Sequence, residues 1–171
     1  MPLEFVTIGV YGWDEARFFQ SLQAAGVDTF CDIRARRGVR GKAYAFANSE
    51  RLQARLAEIG VRYLHRLDLA PGRELRAQQH DVDREAHTLK RQRAALSPIF
   101  AEAYARQQLR DFDSAAFAAD CGEQAHVVAL FCVEQEPAAC HRSLLADRLA
   151  RDLGVRVRHL LPIPLNSSHC E

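Results

Sequence analysis

Two cysteines, a glutamate, a histidine and an arginine crowd into "FCVEQEPAACHRSLL", residues 131–145. Cys132 and Glu134 close an apolar run, an acidic proline-bearing loop follows, and Cys140-His141-Arg142 opens a helical pattern. A thiol at a helix start meets free amides and the positive end of the helix dipole, which favour its thiolate. Three chemistries are open to this group. Cys140 could be a nucleophile, with His141 or Glu134 handling protons. Cys132 and Cys140 could form a reversible disulfide, although seven intervening residues are not the Cys-x-x-Cys spacing of dedicated redox enzymes. The two thiols with His141 could hold a soft metal such as zinc. Adjacent Cys-His ligands are awkward for one ion and there is no second paired motif, so the site is read as metal-free and no cofactor is expected. A binding-only role needs just Arg142 and helix amides on an anion. The plain alternative is that the cysteines pack a helix entry.

A second group is "DIRARRGVRGKAYAF", residues 32–46. Arg34, Arg36, Arg37, Arg40 and Lys42 alternate with Gly38, Gly41, Tyr44 and Phe46, which suits phosphate contacts with stacking on a base. A solvated basic loop is the competing reading. Asp32 at its head is placed to hold one arginine in position, Arg34 first. A third is "LDLAPGRELR", residues 67–76, where a Pro71-Gly72 turn leads into Arg73 and Arg76 around Glu74, either a lid or a surface turn. "REAHTLKRQR", residues 84–93, reads as a solvated helix face. The expected reacting group is thus Cys132, Glu134, Cys140 and His141. The expected ligand-binding set is Tyr11, Asp32, Arg34, Arg37, Arg73 and Arg142. Arg34 and Arg142 are read as exposed charges whose loss leaves folding nearly intact.

The elements that must position these residues follow from periodicity. "LEFVTIGV", "VDTFCDIR", "VRYLHRL", "AHVVALFC" and "VRVRHLL" read as strands. "DEARFFQSLQAAG" and "NSERLQARLAEIG" read as capped helices ended by Gly26 and Gly60, and "AACHRSLLADRLARDLG" as the helix after the cysteine loop. The alternation predicts an α/β fold: a mostly parallel five-stranded sheet with helices on both faces. A helical insertion is expected at about 73–119, before the fourth strand, anchored by Phe100, Tyr104 and Leu109. A single domain over 1–165 is expected, with 166–171 a flexible tail in which His169 and Cys170 are incidental. Ligands of parallel sheets bind outside the carboxyl ends of the strands. Those ends deliver Tyr11, then Asp32 with the first arginines, then His65, then Cys132 and Glu134.

The whole chain is consistent with that placement. Its 171 residues are 48% apolar and 26% charged, ordinary for a folded domain. It shows no basic leader and no apolar run of membrane length, so a cytoplasmic protein without a membrane partner is expected. A net charge of +1 argues against coating nucleic acid by bulk electrostatics. Five cysteines, an odd number, argue against a disulfide scaffold.

The blocks "TIG" at 7–9, "DIRARR" at 32–37, "LAPGRELR" at 69–76 and "FCVEQEPAACHRSLL" at 131–145 resemble, in order, the signature blocks of the bacterial and archaeal family catalogued as domain of unknown function 488. Many members have "TIGHS" where this chain has "TIGVYG", so any role of that histidine and serine is absent here. The resemblance implies an α/β fold and ties the blocks into one site. It supplies no activity, since the family is uncharacterised. The leading expectation is an enzyme acting on a phosphate-bearing ligand, a nucleotide or nucleic-acid segment. The alternatives are a non-catalytic nucleic-acid-binding module and a thiol-based redox or sulfur-handling protein. Oligomeric state is not indicated.

Overall fold

The computed structural model describes residues 2–163. The tail expected at 166–171, with His169 and Cys170, and the end of the expected 1–165 domain lie outside those residues.

Strand β1 (Glu4–Ile8) leads to helix α1 (Glu15–Ala24), strand β2 (Thr29–Asp32), helix α2 (Ser49–Glu58) and strand β3 (Arg62–His65). Three helices follow, α3 (Arg73–Glu85), α4 (Pro98–Gln107) and α5 (Ser114–Cys121). Strand β4 (Val127–Phe131), helix α6 (His141–Leu153) and strand β5 (Arg156–Leu160) complete the sheet. The local chemistry is that of the sequence. Asp14 caps α1 by accepting the Arg17 amide at 2.9 Å, and Phe18, Phe19 and Leu22 bury its apolar face. Gly26, at φ 73°, turns the chain out of the helix. Asn48 caps α2 without a side-chain bond. Its Oδ1 instead accepts from the Val39 amide at 2.8 Å and ties the basic loop down.

All five strands are parallel, in the order β3-β2-β4-β1-β5. The connections β1–β2 and β2–β3 move toward one edge, whereas β3–β4 and β4–β5 move back. Right-handed crossovers therefore put α1 and α2 on one face and the later helices on the other. The aromatic packing agrees. Phe18 of α1 meets Phe30 and Phe131 at 6.3 and 5.8 Å, while Phe117 of α5 meets Phe5 at 6.1 Å. β4 lies between β1 and β2, yet its outgoing chain goes to the opposite face from theirs. The loops part above the carboxyl end of β4 and leave a crevice there.

Two contacts shape that crevice. The Val10 and Tyr11 amides both donate to Val133 O, at 2.9 and 3.2 Å, so the chain leaving β1 presses on the chain leaving β4. Gly9 is what allows it, since a Cβ there would stand 2.0 Å from Glu134 O. On the other side the helices before β4 close down. Phe100, Tyr104 and Leu109 are buried, the Tyr104 hydroxyl donates to Leu69 O at 2.7 Å, and the Leu96 amide donates to Ala138 O at 2.9 Å. Among the described residues no helix is long and apolar enough to cross a membrane.

Candidate active site

Cys132 follows β4 directly, and Cys140 is the N-cap of α6, in extended conformation with φ −136° and ψ 143°. His141 is the first residue of that helix. Its Nε2 lies 3.1 Å from Ile33 O. A carbonyl oxygen only accepts, so Nε2 carries a proton and Nδ1 is the nitrogen turned to both sulfurs, at 3.8 and 3.9 Å. All three side chains are buried.

Burial raises the Cys140 thiol, but the hydrogen bond from Cys132 and the charges of His141 and Arg142 outweigh it and hold the group well below the usual thiol range. Burial, with the Cys140 charge beside it, pushes Cys132 well above that range. Burial opposes the charged form of His141 too, but the Cys140 charge more than offsets it and raises the imidazole. These directions favour the charged forms of Cys140 and His141 and the neutral form of Cys132. Arg142 fits this distribution. Its side chain is fully buried and, among the described residues, is paired with no carboxylate. Nη1 and Nη2 donate to Glu134 O at 2.5 Å and Gln135 O at 3.0 Å, stapling the loop between the cysteines.

Glu134 stands beside this cluster with its side chain buried. Oε1 accepts from Arg93 Nη2 at 2.8 Å and lies 3.5 Å from Lys90 Nζ, while Oε2 has no partner. Burial first, and then the Cys140 charge, raise this carboxyl above the usual range. Arg93 also pairs with Asp83 at 2.6 Å and donates to Ala139 O at 2.9 Å, and Gln79 donates to Asp83 at 2.9 Å. One guanidinium thus joins α3 to the loop that carries the cysteines.

Cys132, Glu134, Cys140 and His141 form the floor of a cleft of about 730 Å³. Arg36 and Arg40 of the basic loop line one wall, with Lys90 and Arg93 also on the lining. Arg73, Arg76 and His80 line another, since spacings of three and four residues put them on one face of α3. The lining acids are Asp83 and Glu134, and both are paired with Arg93.

Of the residues singled out in the sequence, Tyr11, Arg34, Arg73, Cys132, Glu134, Cys140 and His141 line this cleft, and Asp32, Arg37 and Arg142 do not. Arg37 is exposed outside it. Asp32 does hold Arg34, through Nε and Nη2 at 2.9 and 2.8 Å. The reading of Arg34 and Arg142 as exposed charges is corrected, for they are 2% and 0% exposed. Arg34 can be buried because its cation lies 4.5 Å from the Phe131 ring centre and Nη1 donates to Ala47 O at 2.9 Å. The stretch 84–93 is corrected as well. α3 ends at Glu85, His87 turns at φ 53°, and a 3-10 turn over Lys90–Gln92 delivers Arg93 inward with only 9% of its side chain exposed. The missing apolar spacing after Val82 was the available signal.

No curated protein and no solved structure matches the chain. A family model described as Domain of unknown function DUF488 matches residues 15–149, a span holding all four floor residues, with the "TIG" block lying before it. With most of its length inside that match, the chain belongs to the DUF488 family.

Proposed function

We propose that this protein is an enzyme acting on a phosphate-bearing ligand of nucleotide size, bound in the cationic cleft and transformed at Cys132, Glu134, Cys140 and His141. The observation that carries the reading is that two features share one cavity. Its walls hold Arg36, Arg40, Arg73, Arg76, His80 and Lys90, and its floor holds the buried sulfur–imidazole–carboxyl cluster. A cavity of about 730 Å³ is the size that takes a small organic ligand. Arg73 and Arg76 grip the phosphate from α3, and Arg36 and Arg40 close on it from the basic loop. Tyr11 and Phe100, also on the lining, offer aromatic surface to a base. A carboxyl raised by burial, such as Glu134, exchanges protons closer to neutral pH than a free one. Arg34 and Arg142 take the supporting role, holding the floor rather than the ligand.

Calorimetric titration with adenosine monophosphate, inorganic phosphate and a short single-stranded oligonucleotide, each over a salt series, tests this. The nucleotide should bind with a shallow salt dependence. Arg73→Ala and Arg76→Ala should each weaken it by about tenfold, the value of one charge-assisted contact, without moving the thermal melt. If only the oligonucleotide binds, with a steep salt slope, the protein is a nucleic-acid-binding module instead.

A further inference from the structure

We infer that Cys132, Cys140 and His141 form a three-ligand centre for one divalent metal ion of zinc's type, with its open fourth position facing the cleft. The inference rests on the enzyme reading for the use of the ion, but the site stands on its own geometry. Both Sγ atoms and one ring nitrogen of His141 lie within 4.8 Å of one another, with Nδ1 at 3.8 and 3.9 Å from the sulfurs. Zinc bonds of about 2.3 Å to sulfur and about 2.0–2.1 Å to nitrogen, at tetrahedral angles, place sulfur and nitrogen about 3.6 Å apart. Each sulfur–nitrogen pair therefore needs a contraction of a few tenths of an ångström to take the ion, on the order of ordinary side-chain adjustment.

The surroundings are those of a metal ligand set. The His141 ring is fixed by its Nε2 bond to Ile33 O, which directs Nδ1 at the centre, as backbone carbonyls do for metal-bound histidines. Adjacency of Cys140 and His141, the objection from sequence, is resolved by the backbone. Cys140 is extended and His141 is the first helical residue, so their side chains converge. The donors sit at a strand end and a helix start, which hold them rigidly. Two thiolates and a neutral imidazole balance a dication, and this soft set rejects magnesium and calcium.

Glu134 is a carboxyl that lines the cleft with the centre. It is 5% exposed and leaves Oε2 without a partner. A water on the ion would give its proton to that oxygen and remain as metal-bound hydroxide. The hydroxide oxygen then bonds to the electrophilic centre of the ligand. The leaving group departs with its electron pair, and Glu134 returns the proton to it. The net reaction is hydrolysis.

The test uses the full chain stripped by a chelator, with zinc and cobalt as probes. One zinc per chain should bind in competition with a chromophoric chelator, and cobalt should give a sulfur-to-metal charge-transfer band. Cys132→Ser, Cys140→Ser and His141→Ala should each weaken zinc by more than about a hundredfold, since even outer partners of metal ligands cost up to that factor. Cys31→Ser and Cys170→Ser should bind like the parent. A cobalt spectrum without that band, one undiminished in Cys140→Ser, or one lost in Cys170→Ser overturns the centre. Should the ligand variants fail to fold, X-ray absorption of the zinc-loaded parent decides. Two sulfurs in the first shell support the centre, and a shell of only nitrogen and oxygen overturns it. Adenosine monophosphate binding separates this from the enzyme reading. Nucleotide binding with no zinc uptake sinks the centre alone, and sulfur-ligated zinc with no nucleotide binding sinks the ligand alone.

Discussion

Arg34 illustrates how one side chain changes role between sequence and structure. That Asp32 would hold it was legible, because a carboxylate two residues away can reach a guanidinium. Its burial was not, because the ring beneath it is Phe131, about a hundred residues further along, and the remaining acceptor is a main-chain carbonyl of Ala47. Arg34→Ala leaves Asp32 charged and buried, so it should lower stability by about 3–5 kcal/mol, and Arg34→Lys should recover little because it cannot make both carboxylate contacts. Denaturant unfolding measures this, and a midpoint unchanged in Arg34→Ala would contradict it. The same carboxylate reaches Tyr63, whose hydroxyl donates to Asp32 Oδ2 at 2.7 Å. Burial, and then the Asp32 charge, push Tyr63 from 10.0 up to about 12. The folded protein then holds this proton more tightly than the unfolded chain. Stability from this group is whole below about pH 10 and is lost as pH rises toward about 12. Tyr63→Phe should be less stable at neutral pH by about 1–3 kcal/mol, yet lose less between those two values. Parallel alkaline stability curves for parent and variant would show that Tyr63 does not titrate this way.

At the scale of elements, caps, glycines and periodicity were readable, since they are local. "DEARFFQSLQAAG" carries its own start, face and stop, and α1 obeys all three. Elements set by distant contacts were not readable. The 3-10 turn at Lys42–Ala47 gives the basic loop a shape, and Asn48 anchors it from its far end. Arg93 is drawn inward by Asp83 and Glu134, neither of which is its neighbour in sequence. The "TIG" block gains its reason at this scale. Gly9 lets the chain leaving β1 lie against Glu134, so Gly9→Ala should displace the very loop that carries the floor. A cost of about 1–3 kcal/mol is expected, the usual range for overpacking. Thermal melts and zinc uptake should both suffer. A variant with the parent's melting temperature would mean the loop can shift at no cost.

For the whole molecule, strand number and direction followed from alternation of strand and helix, but strand order did not. Pairing is a long-range choice, and nothing within "AHVVALFC" says that it must enter between β1 and β2. What was legible was its unbroken apolar character, which marks a strand covered on both faces. That interior position has a consequence for how the protein is made. A ribosome delivers β1, β2 and β3 first, and none of them can join β1 to β2, because the strand that fills the space begins only at Val127. The nascent chain therefore carries three unsatisfied strand edges, both of β1 and one of β2, while the three intervening helices emerge, and it can zip up only once β4 has been made. Folding depends on long-range closure and is expected to be slow for a sheet of this size. A chain stopped at Gly122 should stay protease-sensitive and bind a holdase chaperone, whereas the full chain should resist digestion. A protease-resistant core in the shortened chain would show that the first three strands pair by some other route.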